Sequence, residues 1–189
     1  SNAAAPLTAD QNVAPKGSSV VLENDVLRLK INTEGGVIEY AELLKHKDSK
    51  DKSKNEVLFN TQDGKVYVSR SGLTPETLGL NHKTAFTPSG SDAVMQDGQN
   101  DVNLTLSAQS NGVTFKKTYS LKRGSYLVDV NHEVDNTGSA AIEPKLYLDL
   151  TRDGTQTDNS FFYSTFTGAV VYNDDKKFKK ISFDDIAKG

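Results

Sequence analysis

The chain has 189 residues, a formal net charge of −3 and a sequence pI near 5.6. Its length suits one domain with a buried core, and its charge balance excludes a general affinity for nucleic acid. The absence of cysteine excludes disulfides and thiolate zinc sites, and no apolar stretch approaches the ~18 residues of a membrane span.

The first residues differ in composition from the rest. Ser1, Asn2 and Ala3 are typical of a cleaved expression tag, and the residues up to Ser19 are small, polar or proline without periodicity. We therefore expect a tag remnant and flexible linker over residues 1–19 and a single domain over residues 20–189.

From Val20 onward, short apolar runs alternate with polar residues and stop at Gly, Asn or Asp. In the first of them Leu27, Leu29 and Ile31 share one face, and Gly35 and Gly36 then break the chain. Alternation with a period of two, bounded by turn residues, is typical of antiparallel strands. The pattern predicts two strands that meet across the Gly-Gly turn.

Two stretches are irregular. Residues 45–54 contain five lysines among Ser and Asp, and residues 71–91 contain Pro75, Pro88 and several glycines. Dense charge and dense chain breakers both disfavour regular structure. We expect a solvated loop at 45–54 and a long irregular connection at 71–91.

The clearest hairpin is centred on Asn111 and Gly112, which suit the positive φ angles of a tight turn. Alternating strands flank it at residues 102–108 and 113–121. Further turns at 122–124 and 136–138 lead to strands at 126–134 and 142–150. The sequence predicts a meander of four successive strands.

Near the end, residues 161–172 are aromatic and β-branched, and a lysine-rich run at 176–180 follows an acidic turn. Lysine is common on edge strands, where it prevents pairing with other chains. No segment has a convincing helical stripe. The prediction is an all-β, antiparallel sandwich with little helix, because so many strands must bury their apolar faces against a second sheet.

None of the three histidines has a metal-binding pattern around it. His46 is in the lysine-rich loop, so we expect a solvated residue, and His132 alternates with valines, which indicates a hydrogen-bonded histidine in the sheet. His82 is in the irregular connection and is the one histidine that we keep as a site candidate. We predict no metal site and no cofactor.

The acidic residues show no catalytic pattern either. Asp153 and Asp158 lack the alternating ligands of a calcium loop, and Gly35 and Gly36 have no following helix with which to bind phosphate. Nucleophile elbows and zinc-binding helices are also missing from the sequence. We predict no catalytic residues and no enzymatic activity.

Several phrases in order resemble the large periplasmic domain of bacterial YidC membrane-protein insertases. The first is Ile31-Asn-Thr-Glu-Gly-Gly36, which matches a strand ending in I-x-T-x-G-G. Others lie at residues 114–126 and 131–138. The closing phrases are Thr165-Phe-Thr-Gly-Ala169 and the run at 177–186, which is similar to K-F-D-x-I.

The resemblance implies an antiparallel β-supersandwich of the galactose mutarotase class, located in the periplasm as part of an inner-membrane protein. It further implies a non-catalytic docking and spacing module for SecDF and the Sec translocon, truncated before the membrane core. That core would receive nascent membrane proteins, whereas this fragment would neither insert into the membrane nor bind nucleic acid.

We place the predicted partner-binding surface where the aromatic run adjoins the lysine-rich edge. Its members are Phe161, Tyr163, Phe166, Lys177 and Lys179. Interfaces often combine aromatic anchors with a charged rim. The alternative interpretation, without a partner, is that the aromatic residues belong to the core and the lysines only keep the edge soluble.

A second function remains open from the sequence. The chain could be a carbohydrate-binding or aldose-epimerase-like sandwich, whose cleft would contain Tyr147, Phe161 and Tyr163. Clefts of this kind are the default binding hypothesis for a sandwich. No phrase of the sequence matches the histidine and carboxylate site of the mutarotases.

Overall fold

The computed structural model describes residues 14–61, 66–153, 168–174 and 177–182. These residues form strands and one short 3₁₀ helix at Glu76–Leu78. The strands are β1 (Ser19–Glu23), β2 (Leu27–Asn32), β3 (Val37–Lys47), β4 (Asn55–Phe59), β5 (Tyr67–Thr74), β6 (Thr87–Pro88), β7 (Ala93–Val94), β8 (Asp101–Ser110), β9 (Val113–Lys122), β10 (Val128–Asn136), β11 (Lys145–Arg152), β12 (Gly168–Asn173) and β13 (Lys177–Ser182). The predicted all-β class is confirmed.

The described residues up to Arg152 form one compact unit, which contains two sheets. The larger sheet has the order β11-β5-β3-β2-β1-β7, with β4 also paired to β3, and the smaller has the order β10-β9-β8-β6. Pairing is antiparallel except between β1 and β7. The β12–β13 hairpin belongs to a second unit.

Both sheets contribute to one hydrophobic core. Leu22, Leu29 and Ile31 of the larger sheet are buried in the same cluster as Leu106 and Phe115 of the smaller sheet. Removing such a side chain from water stabilises the fold by about 1.5–3 kcal/mol. The two sheets therefore pack as a β-sandwich, in agreement with the predicted architecture.

The predicted hairpin is confirmed. Strands β8 and β9 pair from Asp101 opposite Lys122 to Ser110 opposite Val113. At the turn Asn111 has φ 51° and Gly112 has φ 77°, the left-handed values that Asn and Gly tolerate best. The connection of β2 to β3 at Gly35 and Gly36 is confirmed in the same way, with φ 74° and 59°.

The predicted four-strand meander is wrong at its fourth strand. Strands β8, β9 and β10 are consecutive neighbours, but β11 crosses to the other sheet and pairs with β5. Arg70 of β5 and Asp149 of β11 form an ion pair at 2.6 Å across this pairing. Long-range pairing of this kind has no local sequence signal, because β5 and β11 are far apart in the chain.

The two predicted irregular regions are shorter than expected. Strand β3 continues through Lys47, so the lysine-rich loop spans residues 48–54, and β5 continues through Thr74. Pairing of Lys47 with Asn55 and of Leu73 with Leu146 extends these strands into polar or breaker-rich sequence. The single domain predicted over residues 20–189 stays a prediction.

Candidate functional site

The structure describes only part of the predicted partner-binding surface. Lys177 begins β13 and Lys179 lies in its middle, and both side chains are exposed. Phe161, Tyr163 and Phe166 lie outside the described residues. The surface as a whole therefore stays a prediction, with its lysine edge placed on a strand that pairs only with β12 among the described residues.

The β12–β13 hairpin carries apolar and basic side chains together. Tyr172 lies opposite Phe178, and Val171 lies opposite Lys179. Because side chains alternate along a strand, Tyr172 and Phe178 share one face of the hairpin and Val171 and Lys179 share the other. Tyr172 is 68% exposed and Phe178 is 62% exposed, so this hairpin presents aromatic surface beside lysines.

The three histidines have different surroundings. His46 is exposed, although β3 rather than a loop carries it, and its Nε2 lies 3.0 Å from the hydroxyl of Tyr126. His132 is hydrogen-bonded in the sheet, as predicted, with Nε2 3.0 Å from Oγ of Ser71. His82, the candidate from the sequence, contacts Tyr147 through Nδ1 at 2.6 Å.

Tyr147, the member of the hypothetical sugar cleft that the structure describes, has a structural role. Its hydroxyl also accepts a hydrogen bond from the backbone N–H of His82 at 3.0 Å, and its ring lies against Gly72, the residue opposite it on β5. The adjoining cavity has a volume of about 60 Å³. Ligand sites usually measure ~300–1,000 Å³, so this cavity is too small for a sugar.

A larger groove of about 370 Å³ lies beside the lysine-rich loop. Its polar groups are engaged with each other: Glu42 accepts hydrogen bonds from Tyr40 and Asn55, and Lys54 pairs with Asp51. The carboxylate of Glu42 also contacts Arg28 at 3.2 Å. The charges of Glu42 and Lys54 are therefore already balanced by protein groups.

The unexpected feature of the molecule is Lys117, whose side chain is fully buried between the sheets. Strand β9 directs alternate residues inward, and Phe115, Lys117 and Tyr119 are consecutive members of that inward face. The Lys117 ammonium donates to the carbonyl of Gly35 at 2.6 Å and to the carbonyl and hydroxyl of Ser71 at 2.7 and 2.9 Å. Lys117 thus joins the smaller sheet to β5 and to the β2–β3 turn.

Two aromatic rings lie beside this ammonium. The Nζ atom lies 5.0 Å from the ring centre of Phe86 and 5.3 Å from that of Phe115. Neither of these rings offers a full charge, and none of the ion pairs among the described residues includes Lys117. Burial therefore lowers the pKa of Lys117 to about 7.

Tyr119 and His132 complete the cluster. The Tyr119 hydroxyl donates to the carbonyl of Gly36, and burial raises the pKa of this phenol well above its usual range. The ring of His132 stacks on that of Phe115 at 5.7 Å. Partial burial, followed by the nearby charge of Lys117, lowers the pKa of His132 below 6.5.

The sequence contained a signal for Lys117. Between Val113 and Leu121 every second residue is apolar, and Lys117 occupies the central position of that series. A lysine in an inward position of a long amphipathic strand predicts a buried, hydrogen-bonded ammonium. Sequence reasoning missed it because the adjacent Lys116 makes the pair look like ordinary surface charge.

The inner face of β11 carries a row of leucines that the described residues do not cover. Leu146, Leu148 and Leu150 are opposite Leu73, Ser71 and Ser69 of β5. Leu73 and Ser71 are buried, but the three leucines are 51%, 76% and 61% exposed. The core of the sandwich therefore continues as an apolar surface along β11.

The described part of the chain contains no group of three or more His, Cys, Asp or Glu side chains arranged to hold a metal ion. Nor do its helical residues include a segment with the length and apolar character of a membrane span.

Comparison with known proteins places the chain in a family. Residues 19–189 match the model of the YidC periplasmic domain. The chain is 44% identical to a membrane protein insertase YidC of Cupriavidus necator over 98% of its length, 43% identical to one of Janthinobacterium sp. over 94%, and 42% identical to one of Bordetella petrii over 93%.

The chain spans about a third of the length of these relatives, between 32% and 33% in the three cases. The match extends across both sheets and the β12–β13 hairpin. The all-β fold agrees with the fold that the resemblance implied. The chain belongs to the YidC periplasmic domain family, whose domain lies in the periplasm.

Proposed function

We propose that the chain is a non-catalytic docking and spacing module of a membrane-protein insertase. Its partners are SecDF and the Sec translocon, and nascent membrane proteins are received by a membrane core outside this chain. The family match and the relatives, which are named membrane protein insertases, support the insertase context. The observation that carries the docking role is the exposed β12–β13 hairpin, in which aromatic side chains lie beside lysines.

The absence of catalysis is part of the proposal. Within the described residues, the titratable groups with the largest burial are engaged by the protein itself. All three protons of the Lys117 ammonium are donated to backbone and Ser71 acceptors, and Tyr119 donates to Gly36. A general acid or base must reach its substrate, and these groups are sealed between two sheets.

The docking surface comprises Lys177 and Lys179 together with Phe161, Tyr163 and Phe166. The described part of the hairpin supports it because Tyr172 and Phe178 add aromatic area that remains exposed. Aromatic side chains supply much of the binding energy at protein interfaces, and a charged rim steers association. Backbone groups on an edge strand could add further hydrogen bonds to a partner.

Photocrosslinking in the membrane-anchored full-length protein tests this surface. Photoreactive residues replace Lys177 and Lys179 one at a time, with Lys54 and Lys83, both exposed outside the hairpin, as matched control positions. We expect Sec components to be captured from 177 and 179 and not from the controls. Capture from the controls alone would move the docking surface elsewhere on the domain, while no capture from any position would oppose the docking role.

A further inference from the structure

The hydroxyl of Ser71 lies between two titratable side chains. It accepts a hydrogen bond from the Lys117 ammonium at 2.9 Å, and it lies 3.0 Å from Nε2 of His132. A hydroxyl has one proton to donate. With Lys117 donating to Oγ, the Ser71 proton can point to Nε2, and in that arrangement Nε2 is the unprotonated nitrogen of a neutral imidazole.

Protonation of His132 would change this arrangement. Nε2 would become a donor, so Oγ of Ser71 would receive two charged donors and its own proton would lose its acceptor. Two positive charges would then face each other across one hydroxyl in a poorly solvated interior. No ion pair among the described residues gives either side chain a carboxylate partner.

The other groups facing this site do not titrate within the same range. Tyr119 of β9 donates to Gly36, and its raised pKa keeps it neutral. Phe115 and Phe86 contribute rings, Gly35 contributes a carbonyl, and Leu148 is the residue of β11 opposite Ser71. Among the described residues, no ion pair therefore balances a second positive charge in this network.

Solvent can reach one end of the network more easily than the other. Lys117 is fully buried, whereas His132 is only partly buried and lies on β10, an edge strand of its sheet. Across the core, Leu148 is 76% exposed beside Ser71. Protons from solution can therefore enter the network at His132 without prior unfolding of the sandwich.

We propose that His132, Ser71 and Lys117 form a pH-sensitive latch between the two sheets. In the neutral state Ser71 connects His132 to Lys117, and Lys117 holds β5 and the β2–β3 turn against the smaller sheet. Protonation of His132 places a second charged donor on the Ser71 hydroxyl beside the Lys117 ammonium, so repulsion between the two charges loosens the contact between the sheets on the β5–β10 side. The latch is independent of the proposed docking function.

Hydrogen exchange followed by NMR on the 189-residue chain tests the latch, with protection factors corrected for the intrinsic effect of pH. We expect the amides of β5 and of the β2–β3 turn to lose about tenfold of their protection as the pH falls from about 6 to about 4.5, while β8 changes little. This range lies below the pKa of about 7 at which Lys117 takes up its own proton. His132→Gln, which keeps a neutral polar side chain, should abolish this loss. His46→Gln is the matched control and should retain it.

Direct titration gives a second measurement that a purely structural role would not alter. The imidazole of His132 in the wild-type chain should titrate below the ordinary value, and Lys117→Met should shift that titration upward by removing the neighbouring charge. Ser71→Ala serves if Lys117→Met does not fold, because it removes the shared hydroxyl and keeps both titratable groups. Equal acid sensitivity in wild type and His132→Gln, or an ordinary pKa for His132, would overturn the proposal.

Discussion

His132 lies directly opposite Lys117 across the β9–β10 ladder, and both side chains reach the hydroxyl of Ser71 on the other sheet. Strand alternation directs both basic residues inward. Two basic side chains in one core are tolerated because Lys117 has three acceptors and His132 can remain neutral.

Lys117 should make the stability of the folded chain depend on pH in the alkaline range. Its pKa is about 7 in the folded chain, below the 10.5 of the free side chain, so above pH 7 the unfolded state binds more protons than the folded state. Stability should therefore rise with pH across the window between these values, by at most ~1.4 kcal/mol per pH unit. Urea unfolding of wild type at several pH values between about 7.5 and 9.5 measures the rise.

Lys117→Met is the matched control for this rise. Methionine fills a similar volume and cannot bind a proton, so the stability difference between variant and wild type should shift in favour of wild type as the pH increases. Lys116→Met, on the outward face of the same strand, should keep the pH dependence of wild type. If Lys117→Met keeps it as well, Lys117 is not the group responsible.

Gly36 should tolerate no side chain. Its φ is 59°, and a Cβ there would lie 2.9 Å from the Tyr119 hydroxyl and 3.1 Å from Cδ of Lys117. Gly36→Ala should therefore cost the left-handed strain of ~1 kcal/mol plus displacement of the buried cluster, ~2–4 kcal/mol together. Thermal or urea unfolding measures the loss.

Gly124→Ala separates strain from crowding. Gly124 has φ 69°, and a Cβ there would meet nothing within 4 Å, so this variant should lose only the ~1 kcal/mol of strain. Equal losses in the two variants would show that the Gly36 turn can move away from Tyr119 and Lys117.

Amide hydrogen exchange should distinguish the most stable part of the fold from the least stable part. Amides of β8 and β9 that form the ladder should exchange slowest, because both strands contribute fully buried side chains such as Leu106 and Phe115. Amides of the exposed loop at residues 48–54 should exchange fastest. Amides of β3 up to Lys47 that pair with β4 should be protected relative to that loop, and equal rates would contradict the strand assignment.

We expect no aldose epimerase activity. Tyr147 and His82 bond to each other beside a cavity of about 60 Å³, which leaves no room for a hexose. Polarimetry with galactose and glucose should show mutarotation at the uncatalysed rate. Acceleration that His82→Gln or His132→Gln abolishes would support the enzyme hypothesis instead.

Local patterns were enough to predict several elements. Asn111 and Gly112 specify the β8–β9 hairpin, and Gly35 and Gly36 specify the β2–β3 turn, because few residues adopt positive φ without strain. Alternation of apolar residues gave the all-β class and the buried faces. These features depend on residues within about ten positions of each other, so the sequence contains the whole signal.

The candidate site was less predictable. Lys177 and Lys179 lie exposed on β13, but the aromatic residues predicted beside them lie outside the described residues, so the predicted surface stays a prediction. Lys117 was not singled out from the sequence, although its position in the alternation points inward. A single inward lysine is ambiguous in sequence, because its acceptors at Gly35 and Ser71 are 82 and 46 residues away.

The sequence by itself determined the strands, the tight turns, the family and the alternation that points Lys117 and His132 inward. Only the tertiary structure decided that β11 leaves the meander for β5, and that Ser71 comes between Lys117 and His132. The physical reason is that pairing between distant strands depends on how two whole apolar faces fit together. A hydroxyl can accept a buried charge only after that fit has brought it within hydrogen-bond distance.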